Sequence, residues 1–353
     1  MTLKVAIIAD DLTGALDTAA PFVEAGLAVA VAIDVEAARE AIARSADVVV
    51  INTASRALAE DAAAHRVRLA AEVLLSAEPA IVMKKIDSRL KGNVAAESSA
   101  LVEVFALKSI LVAPAIPDQK RFTYRGCVVG RGVDSPIPVA ELFANHSQIV
   151  AVADAEDDSD LDSIAGENDW RSVLAVGARG LGAALARRLG KAGGHSQTFE
   201  PAIRTLFAIG SRDPITAQQM DRLEASGALR MVADAPLGAV ESGEGFELPA
   251  LLRCSGGIAD DAAAVAQRFA KGVKSVMDDT RPDMLMVGGG DTALAVFGEL
   301  GMRILVPKGE IEAGVPWFDV TAADGRHLRS AVKSGGFGSC DSLLRLIVRV
   351  QAA

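Results

Sequence analysis

The chain has 353 residues, half of them hydrophobic but only 4% aromatic, with 36 Lys and Arg against 46 Asp and Glu for a net charge of -10. That length favours two domains, and the acidic balance argues against a nucleic-acid surface while leaving room for a local cationic pocket. Three scattered cysteines, Cys127, Cys254 and Cys340, suit neither a disulfide framework nor a metal site, and with no 18-residue apolar run and no cleavage pattern, a cytoplasmic protein without a membrane span is expected.

In chain order, short apolar runs alternate with longer amphipathic stretches. Strands are predicted at residues 3–9, 28–33, 48–52, 80–84, 109–113 and 173–176, with helices at 15–25, 57–75, 94–105 and 181–189 between them. Continuous apolar strands separated by helices make a largely parallel sheet covered on both faces. A second set follows, with strands at 206–209, 229–232, 250–254, 284–287 and 303–307 and helices at 216–225, 260–277, 293–300 and 342–350. The acidic run 154–162 reads as a solvated turn before a helix. The Gly- and Glu-rich stretch 238–249 reads as a loop, and the boundary is placed near residue 230. The expected class is α/β with two domains, 1–230 and 231–353, each a largely parallel sheet flanked by helices.

Four segments carry the chemistry, and the first three each follow a predicted strand, where ligands of open α/β sheets sit. The first is Asp10-Asp11-Leu12-Thr13-Gly14. Adjacent carboxylates there can hold hydroxyls or accept a proton, and the same residues can also simply cap the next helix. The second, from Lys84 to Asn93, has four cations in eight residues beside Asp87 and Ser88. The cations can meet a carboxylate, and Asp87 and Ser88 can meet hydroxyls. The third is Gly288-Gly289-Gly290-Asp291-Thr292, where glycines let backbone approach a phosphate at a helix N-terminus. It is neither a Walker loop nor a GxGxxG fingerprint. The fourth places Lys333 before Ser334-Gly335-Gly336-Phe337-Gly338, where a lysine beside a glycine turn can approach a nucleotide. Arg56 ends a further strand and can pair with a carboxylate. The segment from Gly210 to Thr216 offers Ser, Asp and Thr as helix caps. His65, His146, His195 and His327 have no ligand spacing.

Taken together, IIADDLTGALDTA, INTASRAL, KKIDSRLKGNVAAE, APAIPDQKRFTYRGCVVGRGV, VGARGLGAALA, GSRDPITAQQ, GGGDTALAV and VKSGGFGS resemble, in order and over nearly the whole chain, the motifs of the four-carbon acid sugar kinase family. The resemblance implies an N-terminal substrate-binding domain, a C-terminal nucleotide-binding domain and ATP in a cleft between them. It implies phosphorylation of the terminal hydroxyl of threonate, erythronate or 3-oxo-tetronate. Carried over residue by residue, the substrate site uses Asp10, Asp11, Arg56, Lys85, Ile86, Asp87 and Ser88. The nucleotide site uses Ser255, Gly289, Gly290, Asp291, Thr292 and Gly335. The chain is shorter than most members, and Gly336 stands where Asn is usual.

Phosphoryl transfer needs positioning, charge neutralisation and a proton acceptor beside the attacking hydroxyl. Lys85 and Arg56 are expected to meet the substrate carboxylate, and Asp11 or Asp87 to take the hydroxyl proton. Residues 288–292 are expected to hold the phosphates. Mg2+ is expected to offset their charge; its ligands are not readable from the sequence, with Asp291 as one candidate. Alanine-rich helix faces are compatible with a homodimer. Two other readings stand beside the kinase: a catalytically silent nucleotide-binding or effector protein of the same fold, and a dinucleotide-dependent oxidoreductase, which lacks its fingerprint here.

Overall fold

A computed structural model of the chain describes residues 3–44, 47–190, 197–241, 245–257, 261–321, 325 and 327–347. The chain divides into two units, Met1–Ser196 and Gln197–Ala353.

The first unit alternates strand and helix: β1 (Val5–Ala9), α1 (Leu12–Glu24), β2 (Val29–Ala32), α2 (Ala38–Arg44), β3 (Val48–Asn52), α3 (Glu60–Leu75), β4 (Ile81–Lys85), α4 (Val94–Phe105) and β5 (Ser109–Ala113). A small antiparallel meander follows, β6 (Arg121–Tyr124), β7 (Cys127–Gly130) and β8 (Ile137–Pro138), then β9 (Ile149–Val152), α5 (Asp158–Glu167), β10 (Val173–Gly177) and α6 (Arg179–Leu189). The seven long strands run parallel in the order β2-β3-β1-β4-β10-β5-β9. Every residue of β1, β3 and β4 is buried, as strands covered on both faces require. In α1, Pro21 has no N–H to give the carbonyl of Asp17, four residues back. Arg179 from α6 meets that residue instead, donating to its carbonyl at 3.5 Å and to its Oδ1 at 2.9 Å.

The second unit holds β11 (Thr205–Ile209), α7 (Pro214–Ala225), β12 (Met231–Pro236), β13 (Ala250–Ser255), α8 (Ala262–Thr280), β14 (Met284–Gly288), α9 (Gly290–Glu299), β15 (Ile304–Glu310), β16 (Pro316–Thr321) and β17 (His327–Lys333). Its strands lie in the order β12-β13-β11-β14-β17-β16-β15. The first five are parallel, and β16 pairs antiparallel with both β17 and β15. Phe207, Met286, Trp317 and Leu344 share one buried cluster, with Phe199 edge-on to Trp317.

The division falls at 196/197 and not near residue 230. β11 pairs with β13 and β14, so the strand and the helix after it belong to the second sheet. The Gly- and Glu-rich stretch only links β12 to β13. The acidic run is a capping device: Asp157 and Asp160 form a reciprocal capping box on α5, and Asp154 accepts from the amides of Arg125 and Gly126. In place of a C-terminal helix from 342, a short 3-10 turn covers Leu343–Leu346, and residues 348–350 of that expectation lie outside the described residues, as does His195. The three cysteines are free thiols. Among the described residues no helix is long and apolar enough to cross a membrane.

Candidate active site

In each sheet two neighbouring strands send their following helices in opposite directions. In the first unit β1 sends its helix toward β2, whereas β4 sends its helix toward β5, on the other side. A crevice therefore opens at the carboxyl ends of β1 and β4. In the second unit β11 and β14 diverge in the same way, toward β12 and β15. The segments singled out in the sequence end the strands at these two points of divergence and their immediate neighbours.

The first crevice is organised by a two-sided ion pair. Arg56, on the loop after β3, donates from Nε and Nη2 to Asp10 at 2.9 Å each, and from Nη1 and Nη2 to Asp11 at 3.0 and 2.8 Å. Asp11 is also the N-cap of α1. Its Oδ1 accepts from the Gly14 amide at 3.0 Å and its Oδ2 from the Thr13 hydroxyl at 2.6 Å. Burial alone would raise the Asp10 carboxyl, but Lys84, Arg56 and Lys85 outweigh it and hold its pKa below the ordinary 3.8. Lys85 lies over the start of α1, where a methyl on Gly14 would sit 2.3 Å from its Nζ.

Beneath this layer Lys84 and Glu97 form a fully buried ion pair. Glu97 accepts from the Ser55 hydroxyl at 2.6 Å, which meets Thr53 at 2.8 Å. The loop that presents Arg56 is thereby fastened to β4 and α4. Ala54 in that loop has a left-handed φ of 47°, uncommon for alanine, supported by its N–H donating to Asn52 Oδ1 at 3.0 Å.

On the β4 side, Asp87 turns the chain by accepting from the amides of Arg89 (2.9 Å) and Lys91 (3.5 Å) through Oδ2. The buried Ser88 hydroxyl accepts from Arg121, at the start of β6. Ile86 is buried and gives its amide to the carbonyl of Gly177, so its side chain belongs to the core.

The second crevice is built of backbone. Gly289, at φ 108°, caps α9 and donates its amide to Lys333, and the amides of Gly210 and Ser211 both reach the carbonyl of Gly288. Thr292 packs so closely that a methyl on Gly210 would lie 2.0 Å from its hydroxyl. A methyl on Gly335 would meet the Ser211 hydroxyl and Asp213 Cβ at 2.6 Å. Gly289, Thr292 and Gly335 are thus brought together around Ser211. Gly290 and Asp291 open α9 from the same turn, with Asp291 exposed. Ser255 ends β13, the neighbour of β11, and is tied by its carbonyl to the amide of Leu237.

Lys333 does not reach out toward a ligand. It is fully buried, and its ammonium donates to the Thr216 hydroxyl at 2.8 Å and to the carbonyls of Ser334, Gly335 and Phe337 at 2.9 to 3.3 Å. Gln219 holds the carbonyls of Phe337 and Ser339. With its carbonyls drawn inward, the glycine turn is fixed from below. Burial pushes the Lys333 pKa down to about 8, against the pull of Asp213 and Glu312.

Reading the sequence missed Glu97, Arg121, Ser211 and Gln219 as parts of the sites, and it expected Lys84 to face a ligand, whereas the structure buries it against Glu97. Asp213 followed by Pro214 carried a legible signal, that of an N-cap before a first-turn proline, and Asp213 does cap α7. The others act through partners distant in sequence.

A model described as a sugar-binding N-terminal domain matches residues 5–147, and one described as a nucleotide-binding C-terminal domain matches residues 250–343. The chain is 31% identical to the D-threonate kinase of Bordetella bronchiseptica, across 97% of this chain and 96% of that protein. It is 28% identical to the 3-oxo-tetronate kinase of Methylobacterium radiotolerans, across 97% and 98%. Two solved structures share the fold: a Salmonella typhimurium protein with TM-score 0.75 at 20% identity, covering 98% of each chain, and a Haemophilus influenzae protein with TM-score 0.69 at 21% identity, covering 97% and 98%. Matched in order by both domain models and along nearly its whole length by these kinases, the chain belongs to the four-carbon acid sugar kinase family.

Proposed function

We propose that the chain is an ATP-dependent kinase that phosphorylates the terminal hydroxyl of a four-carbon acid sugar: threonate, erythronate or 3-oxo-tetronate. The observation that carries this reading is the crevice of the first unit, where Asp10, Asp11, Arg56 and Lys85 converge as a rigid, charged platform at the ends of β1, β3 and β4. A small polyol needs such fixed acceptors for its hydroxyls, because orientation supplies much of the rate of a transfer step. Asp10 and Asp11 accept from substrate hydroxyls, with Arg56 locking their geometry. Ser88 offers one further hydroxyl contact, and Lys85 compensates negative charge.

Of the two carboxylates expected to take the proton, Asp87 is the better placed. Asp11 caps a helix and holds a guanidinium, whereas Asp87 gives only Oδ2 to two backbone amides. Its other oxygen is the acceptor in this reading.

In the second unit, the amides around Gly289, Gly290, Thr292 and Gly335 cradle the phosphates, with Ser255 and Ser211 at the rim. No group of three or more His, Cys, Asp or Glu among the described residues is arranged to hold a metal by itself. That donor set fits Mg2+ carried on ATP, since Mg2+ is commonly held by one or two carboxylates together with phosphate oxygens. Asp291 and Asp213 are the carboxylates beside the turns. The ion supplies neutralisation of phosphate charge.

The test is ADP release with Mg-ATP against both enantiomers of threonate and erythronate and the 3-oxo-tetronates. Turnover of one of them supports the reading and fixes the stereochemistry. Silence on all of them overturns it.

A further inference from the structure

The substrate of the kinase proposed above carries a carboxylate, and Arg56 is poorly suited to receive it. A guanidinium has five N–H donors. Arg56 directs one from Nε, one from Nη1 and both from Nη2 into Asp10 and Asp11. The two aspartates and one arginine together carry a net negative charge, which repels an incoming anion. Lys85 only brings that group to neutrality.

A second cationic group lies at the other lip of the same crevice. Arg121 opens β6, and its backbone is fixed by reciprocal bonds with Ile116. Its Nη1 donates to Ser88, directly after the Lys85-Ile86-Asp87 run, and its Nε to the carbonyl of Arg131 at 3.2 Å. Arg89 approaches from the β4 loop. A methyl on Gly132, a left-handed glycine, would lie 3.8 Å from Arg89 Nη1 and 4.0 Å from Arg121 Nη2, so both guanidiniums border one small residue. Among the described residues no carboxylate lies within ion-pair distance of Arg89, Arg121 or Arg131. Burial lowers the Arg121 pKa, as do its neighbours Arg89 and Arg131, while Asp87 and Asp118 pull it up. The cation is half-buried beside two other guanidiniums.

We infer that Arg121, carried by the meander after β5, binds the substrate carboxylate, with Arg89 strengthening the attraction, while Arg56 organises the hydroxyl-binding carboxylates. The planar guanidinium matches a carboxylate edge, and Ser88 is held where the acid end meets the first hydroxyl. This arrangement makes Arg121 the residue that selects an acid over the neutral tetritol of the same length. The inference rests on the kinase reading.

The experiment compares wild type, Arg121→Met and Arg121→Lys with the four-carbon acids and with threitol and erythritol. It uses direct calorimetric binding together with steady-state kinetics under Mg-ATP. Arg121→Met is expected to raise Kd and KM for the acid by about 10- to 100-fold, the range for a charge-assisted contact. The tetritols lack the carboxylate that Arg121 holds, so they are expected to lose only what passes through Ser88, and the preference for the acid collapses. Arg121→Lys restores part of it. If the methionine variant is poorly folded by circular dichroism, the lysine variant and Arg89→Met carry the same comparison and are expected to narrow discrimination. Wild-type turnover of an acid with discrimination unchanged in the variants overturns the role of Arg121 alone. A wild type that neither binds nor phosphorylates any of the acids overturns this inference together with the kinase reading.

Discussion

Lys84 and Glu97 lie 2.7 Å apart with both side chains 1% exposed, and the pair holds together three elements of the first crevice. Lys84 also donates to the carbonyl of Lys85 at 2.8 Å, and Glu97 anchors Ser55, the residue before Arg56. Removing one partner strands a buried charge, which costs about 3–5 kcal/mol, whereas replacing both with apolar residues of similar size is often close to neutral. Glu97→Ala is therefore expected to lower the unfolding free energy by that amount in urea titrations, and Lys84→Met with Glu97→Leu to recover most of it. The double variant still loses the hold on Ser55, so its KM for the acid sugar stays raised. Full recovery of both stability and KM would contradict a positioning role.

The two candidate proton acceptors are separable because their surroundings differ. Asp87→Asn keeps the oxygen that accepts from Arg89 and Lys91 but removes basicity, so kcat is expected to fall by about 100-fold or more with KM little changed. Asp11→Asn keeps a capping oxygen for the Gly14 amide but loses the charge and the second oxygen that meet Arg56 and Thr13, so it is expected to cost stability and raise KM. Single-turnover kinetics with saturating acceptor separates the two. A kcat for Asp87→Asn within tenfold of wild type would remove Asp87 from the acid–base role.

Gly14 tests the placement of Lys85. A methyl there would lie 2.3 Å from Lys85 Nζ and 2.4 Å from Asp11 Oδ1, too close for either. Gly14→Ala is expected to displace the lysine and weaken acid-sugar binding by about tenfold or more, the scale of one charged contact. Displacing Asp11 from the helix cap and the Arg56 fork costs stability that the helix preference for alanine over glycine, roughly 0.5–1 kcal/mol, offsets only in part, so the melting temperature is expected to fall. Measured by calorimetry, unchanged acceptor affinity would place Lys85 outside the binding site.

Much of this architecture was legible because the parallel strands are buried on both faces. Residues 48–52 and 109–113 read as strands to the residue, as did residues 94–105 as a helix. The strand-end loops were legible too, since Asp10, Asp87 and Gly289 sit where apolar runs stop. Strands β16 and β17 escaped notice, because HLRSAVK mixes polar and apolar residues even though most of it, Ser330 and Lys333 included, is buried. Partnerships across long sequence distances were not legible either. Nothing local tells that Arg56 faces inward to two aspartates 45 and 46 residues earlier, or that Ser88 meets Arg121, 33 residues later. The domain boundary was misplaced for a related reason: a polar loop within a sheet looks like a linker until strand pairing is known.

Lys333 gives a pH dependence with a definite sign. Its pKa in the folded chain, about 8, lies below the ordinary lysine value of 10.5. Below about pH 8 both folded and unfolded chains hold the proton, and the cost of burying the charge is present in full. Between about 8 and 10.5 the unfolded chain binds the proton and the folded chain does not, so stability rises with pH across that window. The rise is roughly 3 kcal/mol for a shift of this size. Lys333→Met has no such titration, while the carbonyls of Ser334, Gly335 and Phe337 lose their donor at every pH. The difference in unfolding free energy between wild type and Lys333→Met, measured in urea from pH 7 to pH 10, is therefore expected to shift in favour of the wild type as pH rises. A difference that stays flat would mean that the ammonium retains its proton in the folded chain and that its four acceptors outweigh its burial.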